Sequence, residues 1–129
     1  MYWCFNAVTR AVGHPSAVLV RALEPVEGIG LMRRRRPTAR RDADLTNGPG
    51  KLCLALGIDG RVNCHALQRL PLVIRRDKGV PDENVTVTPR IGITQSADWP
   101  LRWFVSDSPF VSKTPAHFPR LRHEKGRPV

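Results

Sequence analysis

The stretch LTNGPGKLCLALG, residues 45–57, decides how the chain is read. It is a turn feeding a short, almost wholly apolar helix. Gly48 and Pro49 punctuate the turn, and Pro49 suits the first helical position because its missing N–H has no helical partner to lose. Asn47 or Gly48 can cap the start, and Gly57 can take the left-handed conformation that ends the helix. Lys51 runs against this grammar, since a cation in the first turn opposes the helix dipole by roughly 0.3–1 kcal/mol. Two readings follow. Free N–H groups, no supplied carboxylate and a lysine together suit an anion, phosphate above all. Alternatively, the element is a capped core helix whose lysine stretches its tip into water.

Immediately upstream lies the chain's densest charge. Glu24-Pro25 predicts a helix start with Pro25 at the first position and Glu27 in the first turn. Val26, Ile29 and Met32 give it an apolar side, while Gly28 and Gly30 each weaken it by about 1 kcal/mol relative to alanine. It runs into Arg33–Arg36, which suit a helix C-terminus electrostatically, and Pro37 stops it. Arg40 and Arg41 carry the basic patch on to Leu45. Such a run is either a solvated face or, beside an anion site, a track along a phosphate backbone.

The rest reads as strands. Residues 2–8 (YWCFNAV) and 16–23 (SAVLVRAL) predict an antiparallel hairpin joined through Gly13 and Pro15. Alternation sends Trp3, Phe5 and Ala7 to one face and Tyr2, Cys4, Asn6 and Val8 to the other. Asn6 and Arg21 are polar intruders in this apolar pair; buried, the amide and the guanidinium would each need partners, internal or in a pocket. Further strands are expected at 70–74, where Pro71 points to an edge or a strand start, at 85–94, broken by Pro89, and at 101–106. Leu101, Trp103 and Val105 share one side of the last. From Lys113 onward the composition is that of a disordered basic tail. The sum is a mixed α/β (α+β) domain with a largely antiparallel sheet and short helices.

Composition bounds the function. At 129 residues the chain is one domain or part of one, and its net charge of +10 favours a polyanionic partner. No apolar run reaches the roughly 18 residues of a membrane span, and the first ten residues lack the pattern of a signal peptide. Cys4, Cys53 and Cys64 form an odd, scattered set that fits buried thiols in a reducing compartment better than a disulfide framework. Cys64 beside His65 is too little for zinc. No phosphate-binding loop, dinucleotide fingerprint, nucleophile elbow or metalloprotease helix is present. Glu24 and Glu27 read as helix-start residues, and the remaining carboxylates lie in turns or the tail, with no partner that would make one a general base.

Four separated blocks add a resemblance: MYWCFN (1–6), AVLVRALEPVEG (17–28), LTNGPGKLCLALGI (45–58) and TPRIGI with DWPLRWFV (88–105). In order and spacing they resemble the alkyladenine, or 3-methyladenine, DNA glycosylases. The resemblance implies a curved antiparallel sheet and base excision repair. A damaged purine nucleotide is flipped from double-stranded DNA, and a glutamate activates the water that displaces the base, with no metal or cofactor. It matches Asn6 and Arg21 to the substrate pocket. Met1 and Tyr2 match the end of the intercalating hairpin, and Arg36 and Lys51 match positions near backbone phosphates. It implies a cytoplasmic monomer. The family's catalytic glutamate, stacking tyrosine and histidine and wedge tyrosine fall before the point matched by Met1. Residues 1–112 are therefore expected to be the C-terminal portion of such a domain, with 113–129 as tail. Loss of the general base alone costs roughly 10²–10⁴ in rate. Without those residues, the alternative is a non-catalytic DNA-binding remnant.

Overall fold

The computed structural model describes residues 1–92 and 94–122. Its contacts divide into two compact units, Met1–Arg75 and a second from Arg76 onward. The architecture is mixed α/β with every strand pair antiparallel, in line with the sequence. The strands are two to four residues long and divide among three small sheets.

In the first unit, β1 (Phe5–Val8) and β2 (Ala17–Val20) make the expected hairpin, pairing Phe5 with Val20 and Asn6 with Leu19. Helix α1 (Ile29–Arg35) starts four residues later than the sequence suggested. Pro25 is buried in the approach, and Gly28 caps the helix in the left-handed region (φ 70°), a conformation that glycine reaches without steric cost. Helix α2 (Pro49–Leu56) has the foreseen punctuation: Gly48 precedes it, Pro49 opens it, and Gly57 closes it at φ 73°. Met32 of α1, Leu45 and Ala55 of α2 form the buried cluster, with Ile29, Ala39 and Leu56 against it. Fully buried Thr46 ties the hairpin's exit to this core: its hydroxyl donates to the Leu23 carbonyl at 2.5 Å, and its own carbonyl accepts the Leu23 N–H at 3.3 Å. A small hairpin completes the unit. β3 (Gln68–Arg69) and β4 (Leu72–Val73) flank a cis Leu70–Pro71 bond, so Pro71 sits in a turn where a strand was expected to begin.

In the second unit, β5 (Val85–Thr88) lies between β6 (Arg102–Val105) and β7 (Leu121–Arg122). Leu101, Trp103 and Val105 share a side as expected, but each stays 42–43% exposed, and Arg102 is the buried residue of β6. Its guanidinium lies 4.3 Å from the centre of the Phe104 ring and donates to Thr88 Oγ1 (3.2 Å), Thr114 Oγ1 (2.7 Å) and the Ser112 carbonyl (2.9 Å). Thr114 and β7 fall within the stretch expected to be disordered tail. Two backbone pairings and a buried arginine anchor it there. The end of the expected tail, 123–129, lies outside the described residues.

Candidate nucleic-acid interface

The start of α2 gathers several of the sequence-matched residues. The segment before β1 crosses this helix turn. A Cβ placed on Gly50 would meet the Tyr2 Cβ and Cγ at 3.0 and 3.1 Å, so the Tyr2 side chain lies directly on the helix backbone there. Tyr2 is otherwise open to solvent, as is Met1. Lys51, one residue on, is exposed and donates to Asn47 Oδ1 at 2.8 Å. Asn47 is thus not a helix cap; no side chain caps α2 and no acid stands in its first turn. Its amide nitrogen lies 3.3 Å from Asp44 Oδ1, and Asp44 in turn takes a two-pronged pair from Arg41 at 2.9 and 3.0 Å. The Arg41 hydrogen bonds hold the Asp44 carboxyl below its ordinary range, with the charges of Arg41 and Lys51 acting in the same direction. The resulting chain, Arg41–Asp44–Asn47–Lys51, fixes the lysine beside Tyr2 with a neutral partner and its charge uncancelled by direct contact.

The arginine run behaves differently from a uniform basic face. Arg33 pairs with Asp42 at 2.7 Å. Arg35 donates to the Ala55 carbonyl at 3.1 Å, its guanidinium lying 3.0–3.1 Å from where a Gly57 Cβ would stand, so it covers the C-terminal end of α2. Arg36 is half-buried and clips the carbonyls of Asp44 and Leu45, the latter at 2.8 Å. Such a guanidinium answers carbonyls left over where the 3₁₀ turn at Asp42–Asp44 ends. Arg34 and Arg40 are the exposed arginines of this region with no protein partner among the described residues. Helix packing therefore employs much of the cluster, leaving Arg34, Arg40 and Lys51 as its outward charge.

Asn6 stands elsewhere. It is exposed and lines a cleft of about 460 Å³ with Trp3, Phe5, Asn63, Cys64 and His65. Trp3 walls it by lying over Gly60, where a Cβ would come within 2.9 Å of the indole. His65 Nε2 lies 2.7 Å from the Arg69 carbonyl and 3.2 Å from that of Leu72, so this nitrogen is the protonated one and Nδ1 is left for other partners. Arg21 is not among the cleft residues. The buried guanidinium expected from its apolar strand is instead exposed, because it lies just past β2 in a ribbon whose residues 17–19 are open to solvent. Two contributors escaped the sequence reading. Gly50 seats Tyr2 and Asn47 orients Lys51; the four-residue spacing of Asn47 and Lys51 on a helix start was the available signal.

Of the three cysteines the sequence suggested to be buried, Cys53 is, while Cys4 and Cys64 are exposed. Asp44 and Asp59, the latter held by the Arg61 hydrogen bonds and charge, are both pushed down from the ordinary value, the direction of a settled anion. Among the described residues no group of three or more His, Cys, Asp or Glu could hold a metal ion. No described helix is long and apolar enough to cross a membrane.

Comparison with known proteins supplies the lineage. A protein of Lactiplantibacillus plantarum with the name "Putative 3-methyladenine DNA glycosylase" is 47% identical over 115 residues, covering 86% of this chain and 54% of its own length. Proteins with the same name from Rhodopseudomonas palustris (44% identical, 93% of this chain, 55% of its own) and Gloeobacter violaceus (45%, 88% and 51%) are similar. The chain thus spans about half the length of the curated relatives it matches. The family profile described as Methylpurine-DNA glycosylase (MPG) matches residues 1–109. With identity at this level across most of the sequence, the chain belongs to the methylpurine-DNA glycosylase family.

Proposed function

We propose that this chain provides the DNA-gripping half of a glycosylase that removes alkylated or deaminated purines from double-stranded DNA by flipping the nucleotide and hydrolysing its glycosidic bond. The observation that carries this reading is the start of α2, where Tyr2 lies on Gly50 beside a lysine held outward by Asn47. A cation with a neutral partner keeps its charge for a phosphate, and an aromatic ring on a fixed helix turn is a rigid surface for the duplex. Arg34 and Arg40 extend the positive surface, Met1 continues the Tyr2 edge, and Arg36 contributes by holding the approach to α2 in place. Asn6 belongs to the base-recognising side, where the cleft beside it gives room for a planar ring between apolar walls. Arg21, exposed, is free to reach a flipped nucleotide's phosphate. No cofactor or metal enters this scheme, and the binding unit is a monomer acting on DNA.

The reading is a division of labour: these residues bind the DNA, and water activation is left to a general base that is not among them. Fluorescence anisotropy with a hypoxanthine-containing duplex, repeated across salt concentrations, tests the reading. Binding should weaken linearly on a log–log plot. Lys51→Ala, Arg34→Ala and Arg40→Ala should each flatten the slope by about 0.9, while Arg33→Ala, already paired with Asp42, changes it less. A slope indifferent to all of these substitutions would reject the proposed surface. Release of free hypoxanthine by the isolated chain would reject the division of labour.

A further inference from the structure

We infer that the exposed face of the β1–β2 hairpin is a docking surface for the part of a methylpurine-DNA glycosylase domain that this chain does not match. The register puts Asn6, Val8, Ala17 and Leu19 on one side of the hairpin, because residues paired across an antiparallel ladder share a face, as do residues two apart along a strand. All four are exposed. The opposite side carries Phe5, Ala7 and Val20, each half-buried, and exposed Val18. The pair is thus largely apolar on both faces, the pattern of strands covered on both sides and not of a solvated ribbon. Among the described residues β1 and β2 pair only with each other, so each remains an edge strand. A two-stranded ribbon is marginal by itself in water, and it is stabilised by a further strand and a covering layer.

The occupant follows from sequence length, site and charge. The relatives compared above are matched over 51–55% of their own length, so each carries nearly as much sequence again beyond the matched part. A face left open here is one that the relatives have sequence to cover. Asn6 and Val8 also wall the cleft of about 460 Å³. Whatever sits on this face therefore borders the pocket assigned to the flipped base, where a water-activating group is still required; to this extent the inference rests on the proposed function. A second copy of the chain fits less well. Each copy carries a net charge of +10, and Asn6, Val8, Ala17 and Leu19 include no charged group to offset the repulsion.

The probe is the unmatched part of the Lactiplantibacillus plantarum relative, produced as a separate polypeptide and titrated into the full chain without DNA. Sedimentation velocity should show a one-to-one complex, and amide hydrogen exchange at residues 5–8 and 17–20 should slow as it forms. Val8→Lys and Leu19→Lys should each weaken the complex about tenfold or more, because each sets a charge against apolar surface. Leu19→Ala, a milder change that keeps the strand uncharged, should weaken it in the same direction. Leu54→Lys, the same change of charge at an exposed position of α2, should leave it unaltered. No complex, or a complex indifferent to the substitutions at Val8 and Leu19, would overturn the inference. So would a homodimer of this chain that those substitutions disrupt. DNA is absent throughout, so the salt slopes that test the proposed grip stand or fall separately.

Discussion

At the scale of single residues, the arginines separate into those that hold the protein and those left for a partner. Arg36 donates to two carbonyls, one belonging to fully buried Leu45, so its removal strands an acceptor. Hydrogen bonds to a charged group are worth about 1.5–3 kcal/mol, and Arg36→Met should lose that order of stability in urea unfolding. Arg34→Met, with no protein partner to lose, should stay within about 0.5 kcal/mol. Equal losses would show that the guanidinium clip contributes nothing. Charge also sets the acid response. Asp44 and Asp59 have folded-state values lowered from the ordinary 3.8 by Arg41 and Arg61 respectively. A depressed carboxylate contributes stability that is fully present above its unfolded value and is lost as pH falls through its folded value. Stability should therefore be flat from neutrality to about pH 5 and decline below the ordinary carboxylate range. Asp44→Asn should make that decline shallower in a pH series of urea midpoints. Because both groups are partly exposed and screened by water, the effect is a change of slope and not a collapse.

At the scale of elements, α2 shows what the sequence can state outright. Gly48, Pro49 and Gly57 are local signals, each acting through its own backbone, and the helix they delimit was legible from them alone. Gly57→Ala should cost about 1–2 kcal/mol from the left-handed φ, with a further loss if Arg35 is pushed off the helix end. Gly50→Ala is a different experiment. Its φ is ordinary, but the new methyl meets Tyr2 at 3.0 Å, so the helix should gain propensity while the Tyr2 segment lifts. Stability unchanged, with the Tyr2 ring more accessible to solute quenching, is the expected pattern; unaltered quenching would mean that Tyr2 is not seated there. What sequence could not deliver is of another kind. The start of α1 was misplaced because Pro25 offers a valid helix start, and only packing decided that Gly28 would be the cap. On β6 the period of two was right, yet it cannot say which face is inward. The buried arginine is made acceptable by Phe104, Thr88, Thr114 and Ser112, residues spread over many positions. Likewise the site was half legible: the anomaly at Lys51 stood out, while the exposure of Arg21 and the internal engagement of Arg33, Arg35 and Arg36 depend on tertiary partners.

At the scale of the molecule, two quantities oppose one another: a net charge of +10 and a large inventory of exposed apolar side chains. In the second unit the register places Val85, Val87, Trp103, Val105 and Leu121 on one face of the sheet. Trp103, Val105, Leu121 and neighbouring Leu101 are each 42–50% exposed. Contiguous apolar faces of this kind associate or bind apolar dyes, whereas like charge keeps copies apart. The balance is tunable because only the repulsion is screened, with a Debye length of about 10 Å at 0.1 M salt. Sedimentation velocity should therefore show a monomer at low ionic strength and growing association as sodium chloride is raised. Binding of an anilinonaphthalene dye should accompany it. Leu101→Lys with Val105→Lys should suppress both, and as replacements at partly exposed positions should change stability by no more than about 0.5 kcal/mol each. The converse result, association that weakens as salt rises, would identify the contact between copies as ionic. It would then lie in the Arg33–Arg41 region, where acids and bases already alternate, and not on the sheet.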